Sequence, residues 1–430
     1  MSFLTTLLNW FAGTTLYQLI IVFIALYPIL SSIVWMLDAA MFYRRNERKP
    51  LPISTDPKST PFVSILVAAY CEELVIRQTV EALLAIDYPR KEIVIVDDGS
   101  PDGTSKVLEP YAREGKIRLI RKLRNEGKAM ALNDAIPLLR GEIVLILDAD
   151  IQPRPDVLKY IVPHFEFARV AAVTGNPQVS NTRTLLAKVQ ASEFASIVSV
   201  LRRAQRVWGR VLTVSGAVAA FRKSAMVDVG LFDPEMATED IALSWKLQLR
   251  FYDVRYEPRA VVAMQVPETF GSLWRQRRRW ALGLAQVLRR NAWIFRDWRT
   301  RRFWPVYIDA CLSILWGYTL TTMVGFWALS YAMGLEPLGA SPVPNFWGMV
   351  IASLSLVQLW LGVWLDRRYN PGVTKYYLWA PIYPLFYWGL MVLVTVWSTP
   401  RGLLTATRQP AKWHTPRVAV GQGSLPEESI

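Results

Sequence analysis

Cysteine and histidine are nearly missing from this chain of 430 residues, which has only Cys71, Cys311, His164 and His414. The two cysteines lie far apart in unlike surroundings, which argues against a disulfide framework or a cysteine-ligated metal. Two distant histidines give no support to a histidine-centred site. No G-x-G-x-x-G fingerprint and no G-x-x-x-x-G-K-[ST] loop occurs. A bound nucleotide is therefore not held by a glycine-rich phosphate loop. Acidic residues are outnumbered, 35 against 49 Lys and Arg, for a net charge of +14.

Apolar residues are plentiful. They make up 52% of the chain, with 18 tryptophans and a mean hydropathy of +0.20. A chain so apolar and so basic fits a membrane protein, whose cytoplasmic loops collect Lys and Arg. Residues 16–37, LYQLIIVFIALYPILSSIVWML, carry no charge, and a span of about 20 apolar residues crosses a bilayer. RRNERK follows at 44–49 with no Lys or Arg before it, which places residue 44 onward in the cytoplasm. The long apolar stretch and the lack of a basic start argue against a cleaved signal peptide. Residues 1–13 are too short to span and are expected at the outer interface.

Six regions are expected. They are a membrane segment over 1–43, a basic and proline-rich linker over 44–60, and an α/β domain over 61–265. An interfacial helical region over 266–303, membrane helices over 304–398 and a basic polar tail over 399–430 complete the chain. In the third region, apolar runs at 63–70, 91–100, 117–122, 142–150 and 170–176 alternate with polar helical stretches. Strands this apolar are buried on both faces, and βα alternation implies a largely parallel sheet. Later spans are expected at 306–333, 346–365 and 377–397. GLEPLGASPVPN between the first two has no Lys or Arg and is expected outside, and DRRYNPGVTK is expected inside. That count puts the tail outside, against its Arg401, Arg408, Lys412 and Arg417. A re-entrant break at Pro381 and Pro384 would keep it inside.

Carboxylates gather at the ends of the apolar runs, where ligands bind in open α/β sheets. VIVDDGS places Asp97 and Asp98 there, although Asp-Asp-Gly reads equally as a turn. LILDAD ends on Asp148 and Asp150, alternate residues whose side chains share a side. Such a pair repels unless a cation lies between them, and hard oxygens suit Mg²⁺ or Mn²⁺. In MATEDIALSWKLQLR, Thr238 is placed to N-cap a helix with Glu239 and Asp240 in its first turn. The same carboxylates, ionised at a helix start, would equally serve as a base.

The order DDGS, DAD, TED and QRRRW resembles the processive family 2 glycosyltransferases, which include cellulose, chitin and hyaluronan synthases. The stretches RNEGKAMALNDA (124–135), VTGNPQ (173–178), KVQASEFASIV (188–198) and VLTVSGAVAAFRKSAMVDVG (211–230) narrow the likeness. With YEPRA (256–260) and PETFGSLWRQRRRWALG (267–283), they are similar to PgaC/HmsR/IcaA-type poly-β-1,6-N-acetylglucosamine synthases. One departure is the single clear N-terminal span where such relatives have two.

The resemblance implies a GT-A fold, Rossmann-like with a mostly parallel sheet. It implies that Asp97 and Asp98 bind uridine, Lys128 approaches the nucleotide, and Asp148 and Asp150 hold UDP and the metal. Lys128 taken alone reads as a solvated helix lysine. Thr238, Glu239 and Asp240 are the implied catalytic group, with Asp240 as base. Gln276, Arg279 and Trp280 would wall the acceptor off from the diphosphate, and Ser215 and Gly216 would shape the acceptor end. The product would be β-1,6-linked polymer from UDP-N-acetylglucosamine, made at the bacterial inner membrane by a cytoplasmic catalytic domain. A small PgaD-type membrane partner and cyclic-di-GMP are further implied, with 296–302 and the tail as candidate dinucleotide sites; plain membrane-surface charge explains both as well.

Residues 184–207 and 272–295 combine apolar faces with Arg, as interfacial helices do. In a helix, Gln276, Arg279 and Trp280 share one face. Arg277 and Arg278 then point elsewhere, toward lipid headgroups or neighbouring carboxylates. The competing readings are another polymer of the hyaluronan, chitin or cellulose type, single-sugar transfer to a lipid, or a membrane protein binding nucleic acid through its basic patches. Acidic residues at the strand ends speak against the last, and no nucleic-acid partner is expected.

Overall fold

The structure, a computed structural model, describes residues 2–51, 60–334, 346–404 and 410–411. Most of the proline-rich linker, the loop expected outside after its first residue, and most of the basic tail lie outside the described residues.

The chain opens with helices α1 (Ser2–Ala12) and α2 (Thr15–Phe42). The α/β region then runs β1 (Val63–Ala69), α3 (Ile76–Leu84), β2 (Lys91–Asp97), α4 (Thr104–Arg113), β3 (Arg118–Arg121), α5 (Lys128–Ala135), β4 (Ile143–Asp148) and β5 (Gln152–Pro153). It continues with α6 (Val157–Ile161), β6 (Val170–Val179), α7 (Leu185–Glu193), α8 (Ser199–Trp208), β7 (Val218–Arg222), α9 (Lys223–Asp228), α10 (Glu239–Leu249) and β8 (Asp253–Met264). Then come α11 (Phe270–Arg290), α12 (Trp304–Ala332), α13 (Phe346–Asp366) and α14 (Trp388–Leu404).

The strands form one sheet in the order β3-β2-β1-β4-β7-β6-β8-β5. Strands β3, β2, β1 and β4 are parallel, β7 runs antiparallel to both neighbours, and β6 and β8 are parallel again. Along β1, Ile65 and Val67 enter one buried cluster while Leu66 enters another on the opposite face. That alternation is why these strands are apolar at every position. The register sets Asp148 of β4 beside Ala68 and Asp97 of β2 beside Ala69. The two aspartates thus flank the carboxyl end of β1.

Three helical stretches are long and apolar enough to cross a membrane: Thr15–Glu47, Trp298–Ala332 and Phe346–Asp366. The segment expected to span at 377–397 is not one helix. It divides into a 3₁₀ stretch at Pro371–Trp379, a π turn at Tyr383–Tyr387 and α14. Pro381 and Pro384 cannot donate to a helical ladder, so the break falls where they do. Both ends of α14 stay near α11. Tyr387, just before α14, donates to Glu193, which also pairs with Arg277 of α11. Gly402, near its end, approaches Leu282 and Ala285 of α11 so closely that a Cβ would overlap them. Beyond α14, the Ala411 N–H donates to Pro234 O at 2.8 Å, which sets that residue against the α/β domain.

The stretch 184–207 is not an interfacial surface helix. Its arginines point inward, with Arg203 fully buried and Arg202 nearly so. Arg203 pairs with Glu47 at 2.6 Å and Asp366 at 2.9 Å, and Tyr369 donates to Glu47. Gln178 of β6 and Ser199 also donate to Asp366. This buried network joins the C-terminal ends of α2 and α13 to the sheet through α8. The composition of α8 is amphipathic, but the surface it meets is protein.

Candidate active site

The carboxyl ends of β2 and β4 lead directly into the site loops. Asp97 and Asp98 are both buried, and their oxygens are already taken. Asp97 accepts from the Ser100 N–H and the Ser105 hydroxyl. Asp98 accepts from the N–H groups of Glu126 and Gly127 at 3.1 and 2.8 Å, with Lys122 Nζ 3.6 Å away. Burial raises the Asp98 pKa against the pull of those N–H groups and Lys122. The DDGS turn needs its glycine: Gly99 has φ +72°, and a Cβ there would lie 2.6 Å from Arg124 C. The pair thus ties loop 98–105 to loop 124–127.

Lys128 opens α5 and reaches across to the end of β4. Its Nζ is 2.5 Å from Asp148 Oδ1 and 3.3 Å from Glu239 Oε1. Burial works against its charge, yet Asp148, Glu239 and Asp240 outweigh burial and raise its pKa. The lysine that sequence alone would place in solvent is a half-buried cation among three carboxylates. Around it, the backbone of Gly216 leaves room. A Cβ built there would be 3.3 Å from Asp240 Oδ2, 3.8 Å from Lys128 Nζ and 3.9 Å from Asp148 Oδ2. Lys128, Gly216, Glu239 and Asp240 line one cavity with Ser215, whose N–H donates to Thr174 Oγ1 at 2.8 Å.

Asp240 sits in the first turn of α10. Its pKa is pushed up to about 6, first by burial and then by the Glu239 carboxylate. Lys128, the Ile241 N–H and Arg279 pull the other way. Thr238 occupies the N-cap position, but its hydroxyl makes no capping bond, contrary to expectation. It is buried and turned toward Gly283 of α11 instead. The turn before α10 is held by α11 at two more points: Ala237 N–H donates to Gln286 Oε1 at 3.0 Å, and Arg279 Nη1 donates to Ala237 O at 3.3 Å. Trp245, one helical face on, is wholly buried and packs edge-on against Phe303 at the base of α12.

QRRRW lies within α11, as the sequence predicts. Gln276, Arg279 and Trp280 are partly exposed. Arg277 is not turned to lipid headgroups. It is 2% exposed, pairs with Glu193 at 2.7 Å and lies 4.2 Å from the Trp280 ring centroid. Of the residues singled out in the sequence, Lys128, Ser215, Gly216, Glu239 and Asp240 line one cavity, Asp148 adjoins it through Lys128, and Arg279 borders it through Ala237 and Asp240. Asp97 and Asp98 occupy the neighbouring strand end, and Asp150 follows Asp148 in a turn. Sequence reasoning missed Glu193, Tyr387, Gly283 and Gln286. No local signal marks them, since each matters only through a partner distant in the chain.

Asp148 and Asp150 are hard oxygen donors, and Mg²⁺-type ions bind through one or two carboxylates plus substrate phosphates. No cluster of three or more potential ligands occurs among the described residues, so these two aspartates fit a metal completed by a diphosphate.

Residues 60–283 match the family described as glycosyltransferase like family 2. The chain is 32% identical over 400 residues to a poly-β-1,6-N-acetyl-D-glucosamine synthase of Staphylococcus epidermidis, covering 92% of this chain and 97% of that protein. It is 34% identical over 406 residues to the synthase of the same description from Staphylococcus aureus strain COL, with the same coverage. Among solved structures, mannosyltransferase PcManGT from Pyrobaculum calidifontis, in complex with GDP-Man and Mn²⁺, superposes with a TM-score of 0.58 at 25% identity. That alignment covers 84% of this chain and 98% of the other. The sheet described above is thus a GT-A fold.

Proposed function

Because the chain belongs to glycosyltransferase-like family 2, we propose that it polymerises N-acetylglucosamine from UDP-N-acetylglucosamine into a β-1,6-linked chain. The observation that carries this reading is the convergence of Asp148, Glu239 and Asp240 on Lys128 beside the bare backbone of Gly216. It occurs in a chain similar, over 92% of its length, to two poly-β-1,6-N-acetyl-D-glucosamine synthases. The α linkage of the donor and the β linkage of the product require one inversion, hence a single in-line displacement. Asp240 takes the proton of the acceptor 6-hydroxyl as that oxygen bonds to C1. The bond from C1 to the β-phosphate oxygen breaks, and UDP leaves with the electron pair.

Lys128 and Arg279 supply fixed positive charge on the donor side, which stabilises developing negative charge. Asp148 and Asp150 would hold Mg²⁺ or Mn²⁺, which when bound neutralises diphosphate charge. Asp97 and Asp98 form the uridine end by fixing loops 98–105 and 124–127. Ser215, Gly216, Gln276 and Trp280 form the acceptor end, where an aromatic face stacks on a sugar ring and lets it slide.

Three helices long and apolar enough to cross a membrane support a site at the cytoplasmic face of the bacterial inner membrane, beside a path for the polymer. A hydrophilic chain cannot pass through lipid with its hydroxyls unsatisfied. A small PgaD-type membrane partner, and cyclic-di-GMP acting on the pair, belong to the same reading. Against a nucleic-acid reading, Arg277 of QRRRW and Arg202 and Arg203 of α8 are inside the protein. Membranes holding the full chain, given UDP-N-acetylglucosamine and Mg²⁺ with and without the dinucleotide, should release UDP. They should also yield a product cleaved by a β-1,6-specific hexosaminidase. Release from no UDP-sugar would remove the enzyme reading, and a product resistant to that hexosaminidase would remove the linkage.

A further inference from the structure

An indole has two faces, and in Trp280 one of them is already covered. The Arg277 guanidinium carbon lies 4.2 Å from the ring centroid, which is cation–π distance. Only the opposite face is left for a sugar. Arg277 is i−3 to Trp280 on α11, so the helix alone makes them neighbours. What fixes the guanidinium is distant in sequence. Glu193, at the end of α7, accepts from Arg277 Nη2 at 2.7 Å and from the Tyr387 hydroxyl at 2.8 Å on the same oxygen. Tyr387 stacks on Tyr383, with centroids 5.2 Å apart, in the π turn that precedes α14. Phe194 and Tyr387 rings flank the guanidinium at 5.9 and 5.8 Å. Arg277 and Glu193 are both buried, so solvent does not screen the pair.

We propose that Arg277 is a positioning residue for the acceptor platform, locked by Glu193 and Tyr387, so that the orientation of Trp280 is set from the last apolar segment of the chain. This rests on the reading of Trp280 as the acceptor wall. A buried charge pair with a third hydrogen bond is rigid, and the ring it supports has one orientation available to each incoming sugar. The Asp240 cavity is reached through Arg279, the residue between Arg277's helical turn and Trp280, so donor chemistry does not depend on the Glu193 oxygen.

The test uses the full chain in native membranes with UDP-N-acetylglucosamine and β-1,6-linked N-acetylglucosamine oligomers of defined length. Arg277→Gln and Tyr387→Phe are compared with Arg277→Lys and Trp280→Ala. Tyr387→Phe removes one hydroxyl and keeps the ring, so it reports even where an Arg277 variant fails to fold. The expected result is a rise in acceptor KM of about tenfold and shorter product, with KM for UDP-N-acetylglucosamine and kcat at saturating acceptor within about twofold. Trp280→Ala should raise acceptor KM and shorten the product at least as much, and Arg277→Lys should restore much of the length. A fall in kcat together with donor affinity at unchanged acceptor KM, or product of unchanged length in Tyr387→Phe, would overturn the proposal. An unsubstituted protein that makes no polymer would overturn the functional reading and this inference with it, a result visible before any variant is compared.

Discussion

Gly283 of α11 faces Thr238 so closely that a Cβ on the glycine would lie 2.2 Å from the threonine Oγ1 and 2.5 Å from its Cγ2. The TED turn therefore rests directly on the QRRRW helix, and Asp240, the proposed base, inherits its position from that contact.

Gly283→Ala should push the turn away from α11. Overpacking of this kind costs about 1–3 kcal/mol, and a shift of the base by about 1 Å can lower the rate on the order of 10²-fold. The expected outcome is a lower kcat with unchanged UDP affinity, checked by steady-state kinetics and by UDP titration. Equal loss of both would mean that the helix, rather than the turn, had moved.

Asp240→Asn should stop polymerisation and largely spare UDP binding, because the amide cannot accept the acceptor proton. With the unsubstituted enzyme, the raised pKa of about 6 sets the pH dependence. A general base works ionised, so activity is present above that value and lost as pH falls through it. The acid limb of kcat/KM should have an apparent pKa near 6. Lys128→Met removes a cation that holds the value down, so its limb should move to higher pH. A limb near ~4, the ordinary carboxylate range, would remove Asp240 as the base.

The arginines of QRRRW should differ. Arg279→Ala removes the bond to Ala237 O and a positive charge near Asp240, with an expected loss of roughly 10²-fold or more in kcat. Arg278→Ala should only weaken synthesis, since on the helix Arg278 lies off the face shared by Gln276, Arg279 and Trp280. Assaying both in membranes of equal protein content makes the comparison direct.

Arg203→Met leaves Glu47 and Asp366 buried without their shared cation. Breaking such a network typically costs about 3–5 kcal/mol. The purified protein should unfold at a clearly lower temperature in mild detergent, whereas Arg113→Ala, at the exposed pair with Glu109, should leave the unfolding temperature where it is.

Much of this was legible in the residues themselves. Apolar runs buried on both faces required a covered sheet. Aspartates at their ends followed from where such strands stop, and the helical period put Gln276, Arg279 and Trp280 on one face. Those are local rules, fixed by covalent geometry and by the apolar pattern within a few residues. The antiparallel β7 and the partners of the buried arginines are not local. The period of α8 marks an apolar face and a basic one but is silent on what each meets, so Arg203 read as lipid-facing when it meets Glu47 and Asp366.

By itself, then, the sequence determined the sheet, the acidic strand ends and the order of the motifs, because each depends on neighbours in the chain. Only the tertiary structure decided that Lys128 is a half-buried cation among carboxylates, that Gly283 seats the TED turn and that Arg277 backs Trp280 through Glu193. Each of those depends on which surfaces chain folding brings within a few ångströms, and contacts between residues such as Glu193 and Arg277, 84 positions apart, leave no periodic trace in either segment.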